Sequence, residues 1–522
     1  MSILAYTLLA ASGGGSADGN FYAAFIGGTD NPKGKSSLSE GTTCYADEDG
    51  NGYYGIRCQF SSGNDGALYY VLNNSTMALD HKKGGQWPNE LGYPVGGGVT
   101  IGTQVADNTQ RLYAGVGGQY GHRGVMYDNP SQWSNSANIL TRVRESTTKP
   151  RHGKDSKVGV EDNRVLWYLG DAYDAPAAST YSTQFIKFKQ DSLGSAPTDQ
   201  IDKGLGSNQG AYVVRGYSVD TNADGHQFIG GVWRYPASTE QTNVNMLWYG
   251  RFNHANSSID YLKYFRLNEA DNGTASDGVT CVANCDNNDF YISYMSRYPA
   301  NSGAPAGDNS GKPAIAKINT SDGSVDWARS LGLAAGSNAK CISITTDSDG
   351  NVYGLCKGNA ADFGNQTDST GYSTHVNHAI WKVNADGTFG WCNVLGGQAG
   401  TFNDWDEGKG TRLFVDDKNG LHVMTTIADV TWGGTTKKGV YAIRVPIDGS
   451  GTSASAVSIG STGQSIMYNT SANVTSQYTA SITLRNVAYY SYGDSQNMQN
   501  DTTQTLNAWT TPTDHASNTG SL

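Results

Sequence analysis

Apolar and polar residues alternate along most of this chain in short runs, and clusters of Asp, Asn and Gly break the runs apart. A period of two predicts β-strands, and the breaks predict turns. The pattern also repeats. Turn-rich segments leading into an aromatic or apolar strand occur at Asp49–Tyr53, Asp107–Tyr113, Glu161–Trp167, Asn222–Phe228, Asp286–Phe290, Asp349–Tyr353 and Asp416–His422. The last residues of these segments lie 60, 54, 61, 62, 63 and 69 positions apart. Each unit carries a second signal, clearest at Ile315–Trp327 and Ile380–Trp391, where alternation stops at Asp-Gly and then resumes. Asp-Gly supplies the positive φ angles of a tight two-residue hairpin turn. A unit therefore reads as four strands.

Seven such units predict an all-β chain: a seven-bladed β-propeller of four-stranded antiparallel blades over residues 41–460, with small N-terminal and C-terminal extensions. A solenoid would repeat at a shorter period, and two sandwiches would not keep even copies. Residues 1–40 are rich in Gly and Ser, with one strand pattern at Phe21 to Ile26 that either closes the ring against the last blade or attaches to another protein. Residues 461–522 form a polar Ser/Thr/Asn-rich β extension, and from Gly451 onward only Arg485, Asp494, Asp501 and Asp514 are charged. Such a tail is a peripheral β-layer or a segment that orders on a partner.

Composition narrows the functional classes. Gly fills 67 of 522 positions, roughly twice the usual share, with no collagen period. The net charge of −11 argues against nucleic acid as a partner. No apolar stretch is long enough to span a bilayer, and the apolar run at Ile3 to Ser12 has no positive residues before it, so it reads as part of the mature protein. Of the seven Cys, Cys44 and Cys58 flank one turn, Cys341 and Cys356 flank another, Cys281 and Cys285 are close together and Cys392 stands alone; disulfides and buried free thiols are both open.

Candidate chemistry is sparse. Asp47, Asp49 and Asn51, and again Asp220, Asn222 and Asp224, space oxygens as a calcium loop does, but the bidentate Glu of such a loop is replaced by Cys58 and Gly231. Ordinary Asp/Asn turns give the same pattern. His375 and His378 lack a further ligand at metal spacing, and neither a Gly-x-Ser-x-Gly elbow nor a phosphate loop occurs. Asp404, Asp406 and Glu407 form the densest acidic group. Aromatic residues keep the repeat: Phe60, Tyr120, Tyr173, Tyr235 and Tyr298 follow their anchors by about seven positions. Arg234-Tyr235-Pro236 and Arg297-Tyr298-Pro299 share a tripeptide. These residues suit a protein or glycan face, or else pack between blades. A basic stretch, Arg142, Arg144, Lys149, Arg151, Lys154 and Lys157, suits an anionic partner or is a solvated connection.

The segment Asp-x-Asp-Gly-Asn-x-Tyr at 347–353 and Trp-Lys-Val-Asn-x-Asp-Gly-x-x-x-Trp at 381–391 resemble the repeats of bacterial and phage seven-bladed β-propeller proteins. The start, Met-Ser-Ile-Leu-Ala-Tyr-Thr-Leu-Leu-Ala-Ala-Ser-Gly-Gly, and the Ser/Thr-rich end resemble virion proteins of tailed bacteriophages. The resemblance implies a virion structural or adhesion protein of the tail fibre, spike or capsid-surface type. Its partners would be other virion proteins and a host-surface glycan or receptor, it would assemble as a homo-oligomer or within a larger particle, and it would have no catalytic role and no cofactor. The rival readings are a secreted propeller enzyme acting on polysaccharide and a bacterial cell-surface adhesion or filament protein.

Overall fold

In the computed structural model the strands are described from Tyr22 to Ala508, and side chains chiefly at 72–73, 220–263, 283–293, 313–329, 341–356, 379–392, 413–423 and 442–449. The described residues are all-β, without a helix. Among the described strands every pairing is antiparallel except that of Tyr22–Gly27 with Ser453–Ile459.

The strands form runs of four in which consecutive strands pair, as short turns between them require. Three runs are separate sheets, at 38–86, 95–145 and 150–205. The fourth (213–266) and fifth (281–331) each gain an outer strand, Leu506–Ala508 and Met498–Asn500 respectively. The sixth (340–397) and the seventh belong to one eleven-stranded sheet. The seventh is built from Arg412–Val415, Gly420–Trp432, Thr435–Pro446 and, as its outer member, Tyr22–Gly27 from the N-terminal segment.

First strands neighbour one another in sequence order. Leu38–Ala46 lies beside Val95–Gln104, followed by Pro150–Val158, Val213–Thr221, Cys281–Asn284, Lys340–Thr346 and Arg412–Val415, which returns to Leu38–Ala46. The ring of neighbours is thus closed.

The core sits between adjacent runs. Phe228 and Tyr249 of the fourth pack with Phe290, Ile292, Ala314, Ala316 and Ile318 of the fifth, the Phe228 and Phe290 rings 4.4 Å apart. On the other face of the fifth, Tyr291 and Ile315 pack with Cys341, Val352, Trp381 and Val383 of the sixth. Both faces of these strands are buried, which explains their near-continuous apolar stretches.

Register refines the repeat. Phe228, Tyr291, Tyr353 and His422 stand opposite Arg251, Lys317, Lys382 and Arg444. The equivalent residue of the fifth run is therefore Tyr291, one position beyond the anchor read from sequence. The Asp-Gly turns are also longer than the expected two residues. Asn384 and Thr388 enclose 385–387, and Asn319 and Ser324 enclose 320–323, with a single left-handed glycine closing each, Gly387 (φ 79°) and Gly323 (φ 70°). Asp386 and Asp322 accept hydrogen bonds from the backbone and hydroxyl of Thr388 and Ser324, which fixes the turns from within.

The tail runs along outer edges. After Ser453–Ile459, the strand Ala480–Asn486 pairs with Phe389–Gly397 of the sixth run, and the two shorter strands then reach the fifth and the fourth. An outer strand presents unpaired N–H and C=O groups, and a polar segment can satisfy them without creating an apolar surface.

Candidate functional site

Two ends of the runs differ in chemistry. At the end where second strands turn into third strands, the register places Tyr173 opposite Tyr181, Tyr235 opposite Val244, Arg234 opposite Val213 and Asn245, and Arg297 opposite Gly311. These four sequence candidates thus share one end of the third, fourth and fifth runs. Phe60, Tyr120 and Tyr298 lie outside the described residues. Among the basic candidates, Arg142 and Arg144 stand opposite Val125 and Gly124 on the outer strand Thr141–Glu145 of the second run. Arg151 and Lys154 fall at register shifts on Pro150–Val158, the first strand of the third. Lys149 lies outside the described residues. The two groups of candidates come from different strands.

The opposite end holds the Asp-rich turns. Asp220 stands opposite Phe228, while Asp47, Asp49, Asn51, Asn222 and Asp224 lie outside the described residues, as do Asp404, Asp406 and Glu407. The fully described example is Asp347. One of its oxygens accepts the backbone N–H groups of Asp349 and Asn351 at 3.0 and 2.9 Å, and the other accepts the Asn351 amide and the Tyr353 hydroxyl at 2.8 and 2.9 Å. A carboxylate so engaged builds its own turn. Among the described residues no group of three or more His, Cys, Asp or Glu is placed to hold a metal ion.

The same position in the seventh run is more polar than the sequence suggested. Asp416 is buried and accepts the backbone N–H groups of Lys418 and Gly420 at 2.8 and 2.7 Å. Its other oxygen meets His422 Nε2 at 2.7 Å and Arg444 Nε at 2.8 Å. An ionised carboxylate only accepts, so Nε2 carries the proton. Burial alone would raise the Asp416 pKa, but the hydrogen bonds and charges of His422 and Arg444 outweigh it and hold the carboxyl down at about 2. All three side chains are at most 2% exposed, so the cluster is closed to substrate and acts by fixing three strands together. The sequence signal was the replacement of an aromatic residue by His422 at the anchor, paired with Arg444 where the other runs carry Arg251, Lys317 or Lys382.

Polar side chains also bridge neighbouring runs. Tyr249 donates to the Gly323 carbonyl and Tyr291 to that of Gly350, both at 2.6 Å. Arg251 donates to Thr320, Arg329 to Gly387 and Trp391 to Ile447. Burial raises the Tyr249 hydroxyl well above its ordinary pKa, so it remains a donor. Among the described residues the polar groups at the turn end are therefore structural, while Tyr173, Arg234, Tyr235 and Arg297 hold positions at the opposite strand ends.

No family model and no curated protein matches the chain. Solved structures similar to it include the endosialidase of phage phi92, 12% identical over 82% of this chain and 69% of that one, with a TM-score of 0.39. A leech intramolecular trans-sialidase is 9% identical over 83% and 69%, with a TM-score of 0.34. Hydrazine synthase of Kuenenia stuttgartiensis is 7% identical over 69% and 93%, with a TM-score of 0.37. The expectation of a chain without catalytic activity is corrected by the presence of enzymes among these structures. The physical reason is that a ring assembles side chains from distant strands, so a missing linear motif does not exclude an enzyme. Likeness at this level carries no particular activity over to the chain.

Proposed function

We propose that the chain is a seven-bladed β-propeller that engages extracellular polysaccharide, on the surface of a phage particle, at the face where second strands turn into third strands. The closed succession of first strands supports the propeller, with Tyr22–Gly27 as the outer strand of the last blade. The observation that carries the functional reading is the placement of Tyr173, Tyr235, Arg234 and Arg297 at one common end of three successive runs. Aromatic rings cover the apolar faces of sugars, and guanidinium groups pair with carboxylates, so an anionic polysaccharide is the substrate class. The particle setting rests on the resemblance of the two ends to virion proteins.

The test uses the full chain against polysialic acid, an anionic uronic-acid polymer and a neutral glucan, reading gel retardation and new reducing ends together. Retardation by an anionic polymer is expected, weakened roughly tenfold or more in Arg234→Ala and Tyr235→Ala. New reducing ends would make the protein a polysaccharide-cleaving enzyme, and retardation alone would make it a receptor-binding protein. Neither signal with any polymer would overturn the reading.

A further inference from the structure

We propose that Cys341 and Cys356 join in a disulfide as the sixth run assembles, a staple across its first two strands at the end away from their turn. The two residues are direct partners in the register of Lys340–Thr346 with Val352–Asn359. Both are buried, at 2% and 0% exposure, and both belong to the apolar cluster that contains Ala379 and Trp381. Their side chains therefore leave the sheet on the same face. In the structure both residues carry free thiols, and the Cys341 thiol donates to the Ser343 carbonyl at 3.6 Å. Directly opposed antiparallel residues hold their Cβ atoms about 4.5–5.5 Å apart, just beyond the ~3.5–4.5 Å that a disulfide spans. The register shift that follows Cys341 gives its strand the slack to close that difference.

The other cysteines on described strands are placed differently. Cys44 stands opposite Tyr54, Cys58 opposite Leu38 and Gly66, Cys281 opposite Ser293 and Cys392 opposite Trp381. Among them only Cys341 and Cys356 face each other.

The chemistry needs an oxidant, and a low-molecular-weight disulfide such as oxidised glutathione suffices. One protein thiol loses its proton and attacks a glutathione sulfur, expelling the first glutathione thiolate and leaving a mixed disulfide. The second protein thiol, also deprotonated, attacks the protein sulfur of that mixed disulfide and expels the second glutathione. Two cysteine thiols are oxidised, one glutathione disulfide is reduced, and the two protons end on the two glutathione thiols. Burial pushes the Cys356 thiol well above its usual pKa and Cys392 up to about 12, so the finished core holds almost no thiolate. Exchange therefore runs while the strands assemble, and the completed bond is shielded from reductant.

The full chain, unfolded and then refolded in a buffer of reduced and oxidised glutathione, would be quenched with N-ethylmaleimide, digested and mapped by mass. The expected product is a peptide pair joining Cys341 to Cys356, lighter by two hydrogens than the separate peptides, in most refolded molecules. It should persist in Cys392→Ala and vanish in Cys356→Ala. The stapled protein should also melt at least about 2 °C above the same sample after reduction. Full alkylation of both residues after refolding, or a dominant Cys356–Cys392 link, would overturn the proposal. The wild-type map decides the matter even where a variant fails to fold.

Discussion

Asp416→Ala should destabilise the protein by about 3–5 kcal/mol, because it removes the shared carboxylate and leaves the Arg444 guanidinium buried without its counter-charge. The loss is concentrated. Asp416 joins the turn backbone at Lys418 and Gly420, the second strand through His422 and the third through Arg444, which stands opposite Tyr22 of the N-terminal strand. The equivalent Asp347 is half-buried and meets an uncharged Tyr353 and Asn351, so Asp347→Ala should cost only about 1–2 kcal/mol. Urea unfolding at pH 7, followed by tryptophan fluorescence, separates the two variants. Equal losses would mean that the cluster is not what holds the last run together.

The same carboxylate sets an acid limit. Its pKa falls from 3.8 unfolded to about 2 folded, so its contribution is fully present above roughly pH 4 and is lost as pH falls through 2. That contribution is on the order of 2 kcal/mol. Wild-type stability should therefore decline between pH 4 and 2 more steeply than that of Asp416→Asn, which has no charge there to lose. Parallel pH profiles for the two proteins would contradict the assignment.

Much of the architecture was legible because the repeat writes it several times over. The alternation around Phe290, Tyr353 and His422 fixed where second strands begin to within two residues, and Asp-Gly marked the outer turns at 322–323 and 386–387. The remainder depends on contacts between repeats. Trp327 and Trp391 look like the ends of their own hairpins, yet each lies against the turn glycine of the next run, about one period away. A contact separated by one period is indistinguishable in sequence from repetition itself. The tail pairings were hidden for another reason: Met498–Asn500 and Leu506–Ala508 are three residues each, too short for alternation to show. For the candidate site the period aligned only strand positions, Tyr173 and Tyr235 among them, because alternation sets where a residue falls on a strand and not what it binds.

Those contacts between repeats yield the second large effect. Gly323, Gly387 and Gly449 all have positive φ, at 70°, 79° and 75°, and each lies under an aromatic ring of the preceding run, Tyr261, Trp327 and Trp391. A Cβ at Gly323 would stand 2.7 Å from the Tyr261 ring, and one at Gly449 2.7 Å from that of Trp391. Alanine there meets two penalties: the left-handed backbone costs about 1–2 kcal/mol, and the ring must shift out of its packed position, adding about 1–3 kcal/mol. Gly350, at φ 81°, is the internal control, because its nearest contact would be the Asp289 carboxylate at 3.3 Å. Gly350→Ala should thus lose only the backbone share, while Gly323→Ala and Gly449→Ala should lose about twice as much or more, measured by the same urea titration. Should all three lose the same, the aromatic rings would be yielding freely, and the runs would be held by their hydrogen bonds and buried faces instead. If the expected order appears, each glycine is the seat on which one run locks to the next.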